Sequence, residues 1–130
     1  MLLPRYSCVL CMCLLLLSCS PSADDAREEL ALYGLQWDQA HFLTYAELGG
    51  TRIVQLFLWA GMDPNASDEM GRTALMKAAG NGHMDAVTAL LEAGADPLLK
   101  DNFTDKTAIS LAKENGHTEI ARLLEYPDKV

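Results

Sequence analysis

The residues with the most chemical potential stand at the start of the chain. Cys8, Cys11 and Cys13 form a C-x-x-C-x-C pattern that in another setting binds a metal. Here no other ligand type accompanies them, and they lie in a run of Val, Leu and Met, so no metal site is expected. Cys19 is the last thiol, and 111 residues follow without another. A disulfide framework would spread its cysteines through the fold, so that class is excluded. His41, His83 and His117 fall into no His-x-x-x-His pair and no Ser/His/Asp order, and no glycine-rich phosphate loop is present. Asp101 to Asp105 alternates oxygen donors but lacks the Gly and the distant Glu of a calcium loop. Thr73 and Thr107 resemble nucleophiles only in isolation, since each stands where a helix begins and Thr is a natural cap. The reading is of a chain that is no enzyme, with no cofactor and no small-molecule substrate.

Charge narrows the partners. Ten Lys plus Arg against eighteen Asp plus Glu give −8 over 130 residues. Nucleic acid and anionic membranes are bound through clustered cations, so direct binding of either is not expected. An acidic surface suits a soluble protein or one with basic partners and says no more than that; the chain itself is expected to be a monomer.

Met1 to Ser7 carries one cation, Arg5, and Cys8 to Leu17 is an unbroken apolar run of ten residues. A membrane-spanning helix needs about 20, whereas ten suits the apolar core of a secretory signal. The run ends Leu16-Leu17-Ser18-Cys19, then Ser20-Pro21-Ser22. This resembles a bacterial lipobox, with Leu at −3, a small residue at −1 and the obligate Cys at +1. The resemblance implies a lipoprotein signal peptide over 1–18, lipid on Cys19, and a tether over 19–24. It implies the bacterial cell envelope, on the periplasmic face of the outer membrane because Ser20 replaces the Asp of an inner-membrane retention signal. The alternative is an ordinary signal peptide cut after Ser20 or Ala23, releasing the protein to the periplasm. Removing 1–18 takes away Arg5 only, which leaves nine cations against eighteen anions, or −9.

The rest is repetitive. Leu58, Gly61, Asp63-Pro64 and Asp68 recur as Leu91, Gly94, Asp96-Pro97 and Asp101, at a spacing of 33. Thr73, Ala78 and Gly82-His83 recur as Thr107, Ala112 and Gly116-His117, at a spacing of 34. The extra residue lies between Asp101 and Thr107, which marks a loop, because a helix register would not absorb it. Thr73 to Ala79 is apolar at helical spacing and stops at Gly80-Asn81-Gly82. His83 to Ala93 follows with Ala86, Val87, Leu90 and Leu91 on one stripe, stopped by Gly94. Each unit is therefore two short antiparallel helices and a turn, and it cannot bury its apolar faces without neighbours.

Asp68-x-x-Gly71-x-Thr73-x-Leu75-x-x-Ala78-Ala79-x-x-Gly82-His83, then Leu90-Leu91-x-x-Gly94-Ala95-Asp96, resembles the ankyrin repeat. Thr-Ala-Leu-Met replaces that family's Thr-Pro-Leu-His, and Thr107-Ala108-Ile109-Ser110 replaces it in the next copy. Residues 35–66 are an earlier, degenerate copy, followed by 67–99 and 100–126, so the resemblance covers nearly the whole chain after the signal. It implies an all-α solenoid over 25–130, three repeats behind an N-terminal capping helix from Asp25 to Tyr33. That helix presents Ala26, Leu30 and Tyr33 on one face, and Glu125 and Tyr126-Pro127-Asp128-Lys129 close the far end.

What the resemblance implies is a protein-interaction module, bound at the loop tips and at the concave face of the first helices. The tips carry Ser67, Asp68, Glu69, Met70 and Arg72, then Lys100, Asn102, Phe103 and Lys106. The concave positions are Thr44, Glu47, Lys77, Asn81, Leu111 and Glu114. His83 and His117 recur at one repeat position, which assigns them to the scaffold through local hydrogen bonds; His41 is exposed with no partner implied. Trp59 stands at an outward position or packs under the first helix, and Phe103 is an interface anchor or folds onto its own loop. Asn65-Ala66-Ser67 and Asn102-Phe103-Thr104 are glycosylation sequons by spelling, read as accidents of composition.

Overall fold

The computed structural model describes residues 21–127, and the cysteines, the lipobox-like run and residues 128–130 lie outside them. Among the described residues seven helices follow one another: α1 (Ala23–Leu32), α2 (Gln39–Leu48), α3 (Thr51–Trp59), α4 (Ala74–Gly80), α5 (Met84–Glu92), α6 (Ala108–Glu114) and α7 (Thr118–Glu125). After α1 they pair as α2/α3, α4/α5 and α6/α7. The first members stack as an inner row α2–α4–α6, and α1–α3–α5 form an outer row. The only β-pairing among the described residues is an isolated bridge between Ser67 and Thr73 at a loop tip.

Capping sets where the helices begin. Thr73 and Thr107 are extended residues whose hydroxyls accept from the Met76 and Ser110 N–H groups. Those bonds satisfy donors that a helix start leaves unpaired, so both threonines are caps. The first helix begins at Ala23, two residues before the expected Asp25, because Ser22 and Asp25 form a reciprocal capping box. Tyr33 is also not part of the buried face: it is the C-cap of α1 and is exposed, while Ala26 and Leu30 are buried.

A single core runs the length of the stack. Phe42, Leu56 and Phe57 fill its first repeat, Leu75, Met76, Val87 and Leu90 the second, and Ile120 and Leu124 the last. Between the inner helices lie Ala46, Ala78, Ala79, Ala108 and Ala112, small enough to let backbones approach. His83 and His117 join repeats, correcting the expectation of local bonds. The His83 Nε2 lies 2.9 Å from the Glu47 carbonyl, 36 residues away. Its ring covers Gly49, where an added Cβ would come within 2.5 Å of Nδ1; His117 covers Gly82 in the same way, at 2.6 Å from Cε1. Both glycines have positive φ (77° and 83°), so each supplies a turn and a cradle for the next repeat's ring.

Leu90 is fully buried on α5 in the middle of this stack. Leu90→Ala is expected to cost roughly 2–5 kcal/mol. Far-UV circular dichroism should show all helices melting together at a much lower temperature; a small, local loss would contradict one cooperative stack.

Candidate functional site

Two loops project from the stack ahead of α4 and α6, and each is organised by one aspartate. Asp68 Oδ1 accepts from the Met70 and Arg72 N–H groups at 3.0 and 2.9 Å, and the Asp68 N–H donates to the Arg72 carbonyl. Its other oxygen lies 3.3 Å from Lys77 Nζ. Asp101, buried in the next loop, accepts from the Phe103 and Thr104 N–H groups at 3.2 and 2.6 Å and from the Thr104 hydroxyl at 2.6 Å. The Asp101 N–H donates to the carbonyl of Lys106 instead of residue 105. The third loop thus closes over one more residue than the second. Asp105 takes the left-handed conformation there (φ 55°), and the inserted residue is absorbed before α6 starts.

The carboxylates register this bonding. Burial pushes Asp68 up, but the Arg72 N–H and Lys77 outweigh it and hold the group below the usual aspartate range. The Thr104 hydroxyl and N–H, followed by the other loop N–H groups, hold Asp101 low. Asp38 behaves alike at the start of α2, where the His41 N–H lowers its carboxyl against desolvation. His41 is half-buried with Nδ1 2.7 Å from Asp38 Oδ2, so it has the partner its sequence position did not imply.

The expected partner-facing residues separate into two groups. Lys77 lies between Asp68 and Glu47 (3.1 Å), its side chain only 17% exposed. Lys106 pairs with Glu114 at 2.6 Å. Asn102 donates its N–H to the Met70 carbonyl, and its side-chain amide packs on Gly71. The Asn81 amide donates to the Lys77 carbonyl of its own helix. These residues, with Asp68, are engaged by other groups of the fold. Glu69, Met70, Arg72, Lys100 and Phe103 are exposed at the tips. Phe103, 74% exposed, does not fold onto its loop. Trp59 is half-buried against the core; the Arg52 guanidinium lies 5.4 Å from its ring centre and pairs with Glu29 of α1 at 2.9 Å. Both sequon asparagines are engaged: Asn65 Oδ1 accepts from the Asp96 N–H at 2.8 Å, and Asn102 bridges two loops.

On the inner face Glu47, Arg72, Lys77, Asn81, Leu111 and Asn115 line a shallow recess of about 160 Å³. Thr44 is exposed on the same helix row, and Glu114 is exposed beside Lys106. The Asn115 amide donates to the Gly80 carbonyl at 2.8 Å, and the sequence signals this role only by the recurrence of Asn81 as Asn115. Among the described residues no group of three or more His, Cys, Asp and Glu side chains is arranged to hold a metal ion. No helix of the described residues is long and apolar enough to cross a membrane.

A sequence model for ankyrin repeats, three copies, matches residues 42–129. The chain belongs to the ankyrin-repeat family, whose repeats are protein-interaction modules. It is 43% identical over 79 residues to the ankyrin repeat and KH domain-containing protein mask-1 of Caenorhabditis elegans, covering 61% of this chain and 3% of that one. It is 33% identical over 110 residues to the E3 ubiquitin-protein ligase XBAT33 of Arabidopsis thaliana, covering 85% and 20%. It is 35% identical over 78 residues to cyclin-dependent kinase 4 inhibitor B of Bos taurus, covering 59% of each. The chain thus spans between 3% and 59% of the length of these curated relatives.

A depressed carboxylate stabilises the fold above its unfolded value, near pH 4, and loses that contribution as pH falls through its folded value. Stability should therefore drop below about pH 4. Asp68→Asn should melt earlier than wild type at pH 7 and show a flatter loss between pH 4 and pH 2. Identical melting curves for variant and wild type across that range would contradict the loop brace.

Proposed function

We propose that this ankyrin-repeat chain is a lipid-anchored protein of the bacterial cell envelope that captures another protein through its loop tips. The interaction half of the reading rests on one observation. The tips expose Met70, Phe103, Glu69, Arg72 and Lys100 on backbones already fixed by Asp68 and Asp101, so no packing demand selects those side chains. Fixed loops lose little entropy when a partner arrives, which favours affinity. The anchoring half rests on Leu16-Leu17-Ser18-Cys19 and on the short distance from Cys19 to the first helix at Ala23. Each buried methylene is worth about 0.8 kcal/mol, so two or three acyl chains hold firmly where one binds marginally. Ser20 in place of Asp points the anchored protein to the periplasmic face of the outer membrane. The module acts by binding, without catalysis and as a monomer.

A second reading is inhibition: the chain would cover the active site of a toxin or hydrolase in the envelope, as an immunity protein does. The charge of −8 suits a basic target, and one relative is by name a kinase inhibitor. Tight 1:1 binding to an enzyme whose activity is lost would favour it over an adaptor.

Growth with a fatty-acid analogue should label the wild type and leave Cys19→Ala unlabelled and uncleaved. Equal labelling of the two, or labelling of neither, would defeat the anchoring reading.

A further inference from the structure

Two turns of the stack carry the same three residues, Asn81-Gly82-His83 and Asn115-Gly116-His117. An asparagine before glycine can cyclise on its own backbone, because glycine brings no side chain to hinder its nitrogen. The glycine nitrogen loses its proton to base and bonds to the asparagine Cγ, while Nδ2 leaves with that proton as ammonia. Water then opens the succinimide at either carbonyl. The sum is asparagine plus water to aspartate or isoaspartate plus ammonia. Locally the two turns are matched. Asn81 and Asn115 are exposed with ψ of 0° and 5°, and each amide donates to a carbonyl at 2.8 Å. The Gly82 and Gly116 N–H groups donate to the Ala79 and Lys113 carbonyls at 3.3 and 3.1 Å. The cover over the glycine differs. The His117 ring lies on Gly82, with Cε1 2.6 Å from where a Cβ would stand, whereas nothing described comes within 4 Å of that point on Gly116.

We propose that Asn115 is a site of spontaneous deamidation in the folded protein, and that the ring of His117 protects Asn81 from the same reaction. To reach Cγ, the peptide must swing about the asparagine Cα–C bond away from its present ψ, and the glycine Cα moves with it. At Gly82 that movement drives the glycine into the ring, so the α6/α7 repeat must lift first. At Gly116 the turn alone opens, and a local opening costs less than a sub-global one. The product acts back on the stack. The Asn115 amide is a donor to the Gly80 carbonyl of the preceding repeat, and a carboxylate in its place has no proton to give. Isoaspartate also adds a backbone atom just before His117, the cap of α7. Deamidation therefore loosens α6 and α7 from α4. The inference depends on neither the lipid nor the partner.

The test incubates the full chain in mildly alkaline buffer, folded and in denaturant, and follows both Asn-Gly peptides by mass spectrometry after digestion. In denaturant the two identical tripeptides should convert at the same rate. In the folded chain Asn115 should convert at least about tenfold faster than Asn81. His117→Ala, which uncovers Gly82, should bring Asn81 towards the Asn115 rate; if that variant does not fold, the comparison of folded with denatured wild type still decides. Asn115→Gln, whose ring would be larger and slower to close, should leave the site unconverted. The converted fraction, separated by its added negative charge, should melt below the unconverted one. Equal rates in the folded chain, no conversion of Asn115, or a difference that survives in denaturant would overturn the proposal. An unchanged melting temperature of the converted fraction would overturn its effect on the repeat contact.

Discussion

Helices of seven to ten residues are too short to stand alone in water, so every feature of this molecule depends on one repeat closing against the next. The contact is made by backbone as much as by side chain. Alanines along α2, α4 and α6 bring the inner helices close, and the turns contribute bare glycines on which the next repeat lays a ring. A methyl group at Gly49 or Gly82 would meet the histidine ring well inside contact distance, and it would strain a left-handed turn as well. The stack therefore constrains the glycine and the histidine as a pair, although they lie more than thirty residues apart in the chain.

That dependence divides the loops into two jobs. Asp68, Asp101 and Asn102 spend their hydrogen-bonding capacity on loop backbone, and Lys77 and Lys106 are held in ion pairs with Glu47, Asp68 and Glu114. Such pairs are worth little individually at an exposed surface. Their effect here is positional, because they fix the direction in which the remaining tip residues project. Met70 and Phe103 can then differ from the residues a core would demand without cost to folding. A surface that recognises a partner needs this arrangement, in which variable side chains ride on invariant geometry.

Much of this was legible in the chain. The 33-residue period, the cap threonines, the stop glycines and the site of the one-residue insertion all follow from spacing, because each is a local conformational requirement. The inner and outer helix rows follow from the apolar stripes. What spacing did not reveal was the destination of polar side chains. Lys77 and Asn81 occupy positions that face a partner in the repeat pattern, yet one is enclosed by two carboxylates and the other caps its own helix. His41 pairs with Asp38 three residues earlier, at the cap of α2, a local spacing that exposure alone does not reveal; Asn115 gives no sign of Gly80, since a hydrogen bond between adjoining segments leaves no periodic trace. Helical spacing extends the buried stripe to Tyr33, but the helix ends one residue earlier. Trp59 and Phe103 were equally ambiguous in sequence; Arg52 and the core claim the first, and an aspartate-braced loop holds the second out in water.

With stability lodged in the contacts between repeats, the three repeats should open as one cooperative body. Native-state hydrogen exchange at increasing denaturant measures this directly, since it assigns an opening free energy to each amide. The slowest amides of α2, α4 and α6 should share one opening free energy. Replacing His83 with Ala should lower it for all three helices together, including α6, the last of the inner row. If α6 opened through its own lower-energy event, unaffected by that substitution, the repeats would be separate units and not one cooperative body.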